Sequence, residues 1–482
     1  MPRTPLPLPL GSYLSEVLPL AAQRVIGWIP VVSEQNALST NILLQRNGLT
    51  TFATASGICR GQHVMAGVQF SVNGTSLFTT NSAGVATNLG TIAGTKRVVM
   101  ADSGTLLVIV VPGGNSYVWD GTTLTQIVDP DFQVSDTVSF YRGFFVFTTT
   151  DGKQLFVSNL NQPLVFDALD FGSAEGDPDR IVTQILNHDE LTVLGSETSE
   201  VFKLVGGSGF PLAIIPGAFG EKGAHSKYGT VAFDNTFLFI GGGENEKTAV
   251  WRKTSSTSAV KISDNATDTL IQEFTADEIA EAFWMTYTQR GQLLAILTIN
   301  SQRIPGRTFV YNGTASVLAG KQVWFEFQTG VTDAPWRVNS IVKVYDKFLC
   351  GDSIDGRIGF LDKTVFEDYG DVMFRQMSTQ PFDNNGVTLF AGLFEATFES
   401  GVGLTTGQGS DPVVRLDFSD NGARIFKSET KRKIGKIGKY GQRSVWERQG
   451  DFPVSRTIRL TVTDPVRANL IRIAANPEGG SQ

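Results

Sequence analysis

Short apolar runs recur through the middle of the chain at intervals that lengthen gradually from 33 to 57 residues. Each recurrence has one order: an apolar strand, a polar or glycine turn, a second and more apolar strand, another turn and a third strand. It is seen in FSVNGTSLFTT (70–80), LLVIVVPGGNSYVWDG (106–121), FFVFTTTDGKQLFVSN (144–159) and LLAILTINSQRIPGRTFVYNG (293–313). Seven such units can be counted, their first strands starting near Met65, Val98, Val138, Val182, Val231, Trp284 and Ile341. Self-similarity at roughly 40–50 residues marks propellers. Runs such as LLVIVV and LLAIL lack polar alternation, as strands buried on both faces between neighbouring blades should. The pattern predicts an all-β chain with a β-propeller of about seven blades over residues 41–375.

The turns agree with that reading. Asn73-Gly74, Asp120-Gly121, Asp151-Gly152, Asn312-Gly313 and Asp355-Gly356 are pairs that close tight hairpins, because both residue types tolerate positive φ. A strand pair at 41–45 and 49–53, turning at Asn47-Gly48, is expected to complete the last blade and so remove an open sheet edge. Before it, the Leu-Pro alternation from Pro5 to Pro9 favours an extended conformation, and residues 1–40 read as an extended arm. One helix is expected, over 268–284, with Thr275 and Glu278 in capping-box spacing, as an insertion between blades. After about residue 376 the repeat stops. LFAGLFEATFES, DPVVRLDFSDNG and RTIRLTVTDP then read as strands of a C-terminal β-domain, 376–482, of sandwich type.

Composition adds little to the fold but narrows the chemistry. With 40 basic and 47 acidic residues, the chain has a net charge of −7, which argues against broad neutralisation of nucleic-acid phosphates. Cys59 and Cys350 are the only cysteines, too few for a metal cluster or a disulfide framework, and they suit a reducing compartment. No run is long enough for a membrane span, and the prolines of the opening segment break a secretory apolar region.

Nucleophilic catalysis requires a base held against a nucleophile. The three histidines, His63, His188 and His225, lie in unrelated contexts, and no triad is expected. His188-Asp189-Glu190 reads as a solvated hairpin tip and Glu175 to Arg180 as a polar loop. Ser419 to Gly422 faintly echoes the Asp-box turn of sialidase blades, but occurs once and outside the repeats. The glycine runs at 206–209 and 241–243 lack the Lys-Ser/Thr that completes a phosphate loop. No cofactor and no metal site is expected. The sharpest charge feature is a basic stretch with one acid, holding Lys427, Lys431, Arg432, Lys433, Lys436, Lys439 and Arg443. A solvated loop would explain it; so would docking on an acidic partner protein or on nucleic-acid phosphate.

Several segments, in order, resemble a known family. QRVIGWIPVVSEQNAL (23–38), GLTTFATASGICRGQHVMAGVQFSVNGTSLF (48–78), the stretch FYRGFFVF to GDPDRI (140–181), GAFGEKGAHSKYGTVAF (217–233) and RSVWERQGDFPVSRTIRLTVTDPV (443–466) are similar to the packaged-DNA stabilisation protein of short-tailed bacteriophages, also called tail accessory factor, tail hub or nozzle. The likeness runs over nearly the whole chain and is weakest in the Pro-Leu segment. It implies a non-enzymatic structural protein of the virion tail, assembled in the host cytoplasm. It also implies a homo-hexameric ring below the portal and head-to-tail adaptor, which extends the DNA channel, retains the genome and carries tailspikes, fibres or a needle. Six copies would together carry −42, six times −7, and an acidic lumen would let DNA slide through without sequence-specific binding. The rival reading is a receptor-binding or glycan-processing propeller, which needs a polar axial pocket with paired carboxylates. A host-type scaffolding propeller is disfavoured by the lack of a WD signature at blade ends.

Overall fold

The computed structural model describes residues 4–174, 179–206, 209–383, 388–452 and 454–479. They form a β-propeller joined to a β-sandwich. Five blades follow one another over residues 59–91, 99–126, 135–172, 181–220 and 223–261, each an antiparallel meander. The last blade is made by Val338–Val344, Lys347–Asp352 and Arg357–Asp362, with Gly48–Thr54 from the start of the chain as its outer strand. The innermost strands pack side by side in chain order, and Val338–Val344 lies against Cys59–Met65, so the ring closes.

The absence of polar alternation in the second strands has a direct cause. In Leu107–Val110, Leu107 and Ile109 belong to the core shared with the first blade, whereas Val108 and Val110 belong to the core shared with the third, beside Phe145 and Phe147. Both faces of the strand are covered, so apolar residues occupy both parities.

The expectation of about seven separate blades is corrected. Six blades are self-contained sheets, while the meander Phe283–Gln289, Gln292–Ile299, Arg307–Asn312 and Trp324–Phe327 runs on into the sandwich as one 11-stranded sheet. Its outer strand, WFEF, is buried at every position. It therefore needs a further partner, and takes Ala22–Ile26 through the parallel pairing of Ile26 with Glu326. The outer strands of the second and fifth blades, by contrast, are three residues long and largely exposed.

Residues 4–32 are no free arm. Thr4–Leu6 pairs with Leu470–Gly479, Ala22–Ile26 with Arg375–Ser378, and Trp28–Val32 with Asn41–Gln45. Val25 and Trp28 are completely buried. Between them the chain passes from one sandwich sheet to the other at Gly27, whose φ is +69° and where a Cβ would stand 2.1 Å from the Phe374 carbonyl oxygen. The pair at 41–53 likewise divides: Asn41–Gln45 joins the sandwich, and only Gly48–Thr54 enters the last blade. The split falls at Arg46, which is pinned on Asp368.

The expected helix is two short ones, α1 (Asn265–Ile271) and α2 (Ala276–Ala280), and the chain is already in strand at Phe283. The Thr275–Glu278 capping box is present, but it starts the second helix. Asn312-Gly313 does not turn a hairpin. Asn312 is buried and accepts the Ala315 N–H at 3.0 Å, capping α3 (Gly313–Ala319).

The sandwich faces are Trp28–Val32, Asn41–Gln45, Leu470–Gly479, Leu389–Phe398 and Ser444–Glu447 on one side, and Ala22–Ile26, Arg375–Ser378, Ser455–Val462, Val413–Ser419 and Lys427–Lys433 on the other. Its core is continuous with that of the propeller: Trp28, Trp446, Leu460 and Leu470 share one apolar cluster with Phe327, Trp336 and Leu361.

Candidate interaction surface

Cations occur in this chain in two settings. At the junction of propeller and sandwich they are buried or half-buried and held by carboxylate or amide oxygens. Arg46 donates to both carboxylate oxygens of Asp368 at 2.9 and 2.5 Å, with both side chains about 1% exposed, and lies over the rings of Phe327 and Trp336. Arg375 donates to Gln45 Oε1 at 2.6 Å and to the Val466 carbonyl at 2.7 Å, and burial pushes its guanidinium down to about 9. Arg24 and Arg307 converge on Glu326. Burial alone would raise that carboxyl, and the two guanidinium groups reverse the effect, leaving it below its ordinary value. A dry charge of this kind must be paired, because an unpaired one costs several kcal/mol.

The basic stretch is in the other setting. Lys427–Lys433 is the edge strand of the second sandwich sheet, and its one ladder partner is Val413–Ser419. Val414 and Leu416 point into the core, which places Lys431 and Lys433 on the outer face, while Lys427 lies beyond a register shift and is paired with Phe418. There Lys431 stands directly opposite Arg415, a like-charge pair that a sheet does not favour. Glu429 approaches Arg415 at 3.9 Å. Lys427 reaches Asp420 at 3.4 Å, Lys433 reaches Asp411 at 2.6 Å, and Arg443 reaches Glu395 at 3.6 Å. Arg432 donates to the carbonyls of Val445 and Lys431. Lys431, Lys436 and Lys439 have no carboxylate partner among the described residues.

The structure thus brings all seven predicted cations to one corner of the sandwich, and among the described residues leaves four of them, Lys431, Arg432, Lys436 and Lys439, without a carboxylate partner. It adds two groups that the sequence reading passed over. Ile437 and Tyr440, in the loop beyond the strand, are 56% and 75% exposed. The alternation of lysine with apolar residues in IGKIGKYG is the signal that could have found them.

The remaining sequence candidates do not gather. His63 meets Asp102 at 2.6 Å in the first and second blades, His188 meets Asn235 at 3.1 Å, and His225 meets Thr248 at 2.8 Å, with burial lowering the His225 imidazole. Asp189 is held by Arg142. Asp179 accepts the backbone N–H groups of Glu197 and Thr198, while residues 175–178 lie outside the described residues. In the sialidase-like turn, Asp420 is bound by Arg456, which fixes the turn to the sandwich. Cys59 and Cys350 are free and buried, and burial raises both thiols. Among the described residues no group of three or more His, Cys, Asp and Glu side chains could hold a metal, and no helix is long and apolar enough to cross a membrane.

Where inner strands meet, Arg97 lies 4.1 Å over the Phe283 ring and donates to the Asn339 carbonyl, and Tyr228 donates to the Arg97 carbonyl. Nearby, Lys227 stands 3.9 Å from Asp136 and 3.3 Å from Glu281, so one ammonium is shared between the two carboxylates. The sequence reading missed this group, whose members are scattered over four blades and the helical insertion.

Two family profiles match the chain. One, described as bacteriophage P22 Gp10, beta-propeller, spans residues 6–366, and the other, bacteriophage P22 Gp10, beta-sandwich, spans residues 375–478. The chain belongs to the bacteriophage P22 Gp10 family. It is accordingly a tail structural protein of a short-tailed phage, of the kind that stabilises packaged DNA. The first profile takes in the N-terminal strands from residue 6, in keeping with their place in the sheets.

No curated protein matches the chain. Among solved structures, the computationally designed Ika8 protein is similar at a TM-score of 0.35 and 13% identity, covering 65% of this chain and 99% of its own. An exo-beta-1,3-galactanase from Phanerochaete chrysosporium is similar at 0.31 and 9%, covering 80% and 97%. BamB from Moraxella catarrhalis is similar at 0.34 and 9%, covering 65% and 97%. Likenesses this distant carry no argument about what the chain does.

Proposed function

We propose that this chain is the subunit of a homo-hexameric tail hub, or nozzle. The ring sits below the portal and head-to-tail adaptor, extends the DNA channel, and holds the genome in place after packaging. Tailspikes, fibres or a needle attach to it, DNA passes through its lumen without sequence-specific contacts, and assembly takes place in the host cytoplasm. The observation that carries this reading is the pair of family matches, which together cover both the ring and the sandwich. A closed propeller with apolar cores between its blades suits a rigid wall element, since it leaves no inner sheet edge to pair wrongly. The basic corner, with Lys431, Lys436 and Lys439 unneutralised, is the surface that docks on an acidic partner. The protein works without enzymatic chemistry, and the Asp136 and Glu281 carboxylates serve as ion-pair partners of Lys227.

Electron microscopy of the purified chain, alone and mixed with a candidate adaptor ring, tests the proposal. A sixfold tube is expected. A persistent monomer that hydrolyses saccharide would overturn it in favour of the glycan-processing reading.

A further inference from the structure

The outer strand of a propeller blade is an open sheet edge, which proteins ordinarily blunt by keeping it short, charged or interrupted by proline. The second and fifth blades end in strands of three residues, and the fourth carries Pro216 in the middle of its outer strand. The third blade differs in length and in the sign of its charge. Its outer strand, Gln162–Gly172, is 11 residues long, has Pro163 only at its start, and carries Asp167 and Asp170 but no lysine or arginine. Leu164, Val165 and Phe171 are each 40% exposed on it, and Leu169 is 76% exposed.

Local geometry pushes these groups outward. The pairing with Leu155–Asn159 shifts register twice, so that Phe156 pairs with Phe171 but Ser158 with Phe166, and residues 167–170 stand out of the ladder. The Leu169 N–H donates to Asp167 Oδ1 at 2.9 Å, which fixes the protrusion. Asp170, partly buried beside Asp167, has its carboxyl raised by desolvation and by that neighbouring charge. A second acidic, apolar segment adjoins: Val128 is 78% exposed, and Asp129 accepts the Phe166 N–H at 3.3 Å. Residues 127–141 and 154–172 contain no basic side chain.

The basic corner of the sandwich has the opposite charge and a similar mixture, with Ile437 and Tyr440 exposed among Lys431, Lys436 and Lys439. The two surfaces cannot meet within one chain. The sandwich grows from the meander that opens at Phe283, while the third blade is three inner strands away around the closed ring, on its far side. Nor does a twofold dimer satisfy them, because there both patches would have to share one face so that each met the other on the second copy, whereas here they lie on opposite sides of the subunit. Complementary patches at opposite ends of one subunit produce a head-to-tail contact, which closes into a ring when the rotation allows.

We infer that successive copies of this chain join through the outer edge of the third blade on one copy and the basic sandwich corner on the next, with Leu169 packing among Ile437 and Tyr440 and Asp167 and Asp170 facing Lys436 and Lys439. The inference rests on the ring reading proposed above and names the partner of the basic corner as a second copy.

Charge exchange tests it on the full chain, assembled as for wild type and followed by electron microscopy and mass photometry. The edge variant Asp167→Lys/Asp170→Lys and the corner variant Lys436→Glu/Lys439→Glu should each raise the concentration needed for ring formation by about a hundredfold or more. Their 1:1 mixture, and the chain carrying all four changes, should regain rings, because every reversed edge then meets a reversed corner. Normal rings from either variant alone, or no recovery in the mixture and in the fourfold variant, would overturn the inference while leaving the ring itself in place. A wild-type chain that forms no ring with or without the adaptor overturns the ring reading and this inference together. A second measurement is independent of charge. Leu169→Cys with Tyr440→Cys in one chain should give, on oxidation, a ladder of covalent oligomers that neither single change gives, the native cysteines being buried. A double variant that stays monomeric on a non-reducing gel although rings are present would contradict the contact.

Discussion

The interdomain junction and the sandwich corner are both built around basic side chains, and they use them in opposite ways. At the junction Arg46 is about 1% exposed and meets a carboxylate equally dry, in bidentate geometry over two aromatic rings. At the corner Lys431, Lys436 and Lys439 are exposed, and an adjacent strand even sets Arg415 opposite Lys431. The comparison teaches that position, not residue type, decides what a charge does. Taken out of water, a cation has to be matched within the fold and becomes part of what holds it. Left in water at a sheet edge, it contributes little to stability and remains available to a partner.

The comparison breaks first at its strongest point. Arg46→Met should cost about 3–5 kcal/mol in denaturant unfolding, because it strands the Asp368 carboxylate in the core, whereas the double change with Asp368→Leu should recover most of that loss. A single change costing under about 1 kcal/mol would remove the junction from the structural side of the comparison. Next, Ile26→Ala, in the strand that bridges ring and sandwich, should cost about 3 kcal/mol by leaving a cavity in a position that is 1% exposed. A free arm would tolerate the change.

Lys253 sharpens the comparison from within the propeller. It is 5% exposed, its ammonium donates to Ser199 Oγ at 3.0 Å, and burial lowers it from 10.5 to about 8. Between those two values the unfolded chain binds more protons than the folded one, so stability rises with pH across that window and the penalty is complete below about 8. Lys253→Met should therefore stabilise the protein at pH 7 by about 2 kcal/mol, and the advantage should fade towards pH 10.5 in unfolding curves measured across that range. An advantage independent of pH would show that the gain comes from packing alone. The smallest effect is expected at the corner, where Lys431→Glu, Lys436→Glu and Lys439→Glu should each change stability by under about 0.5 kcal/mol.

What the sequence made legible was local. The blades are hairpins of neighbouring strands, so their apolar runs and turn pairs are adjacent in the chain, and the family likeness follows the same order. The Thr275–Glu278 cap was legible because its two bonds lie within four residues. The basic corner was legible because its cations are close together in the sequence, although which of them lack a carboxylate partner was not. The rest depends on distant pairs. Arg46 finds Asp368 across 322 positions, and the Arg24 N–H finds Ser378 Oγ across 354. No local pattern announces either. The Pro-Leu segment suggested an arm because proline cannot donate to a ladder, yet Pro5 sits in a short strand added outside the main strand path of its sheet, where that donor is not needed. Nothing local in the sequence marks WFEF as a strand beyond which the sheet continues; its burial at every position does. The acidic edge of the third blade escaped notice for a similar reason: its alternation breaks at the register shifts that push Leu169 outward.

The most direct test sets the two roles of charge against each other in one experiment. In phage particles whose only copy of this protein carries Lys431→Glu, Lys436→Glu and Lys439→Glu, DNA-filled particles are counted, and the melting temperature of the purified variant is measured alongside. The account predicts a melting temperature within about 2 °C of wild type and a fall of at least about tenfold in particles that keep their DNA. A stable variant that yields a full complement of DNA-filled particles would contradict it.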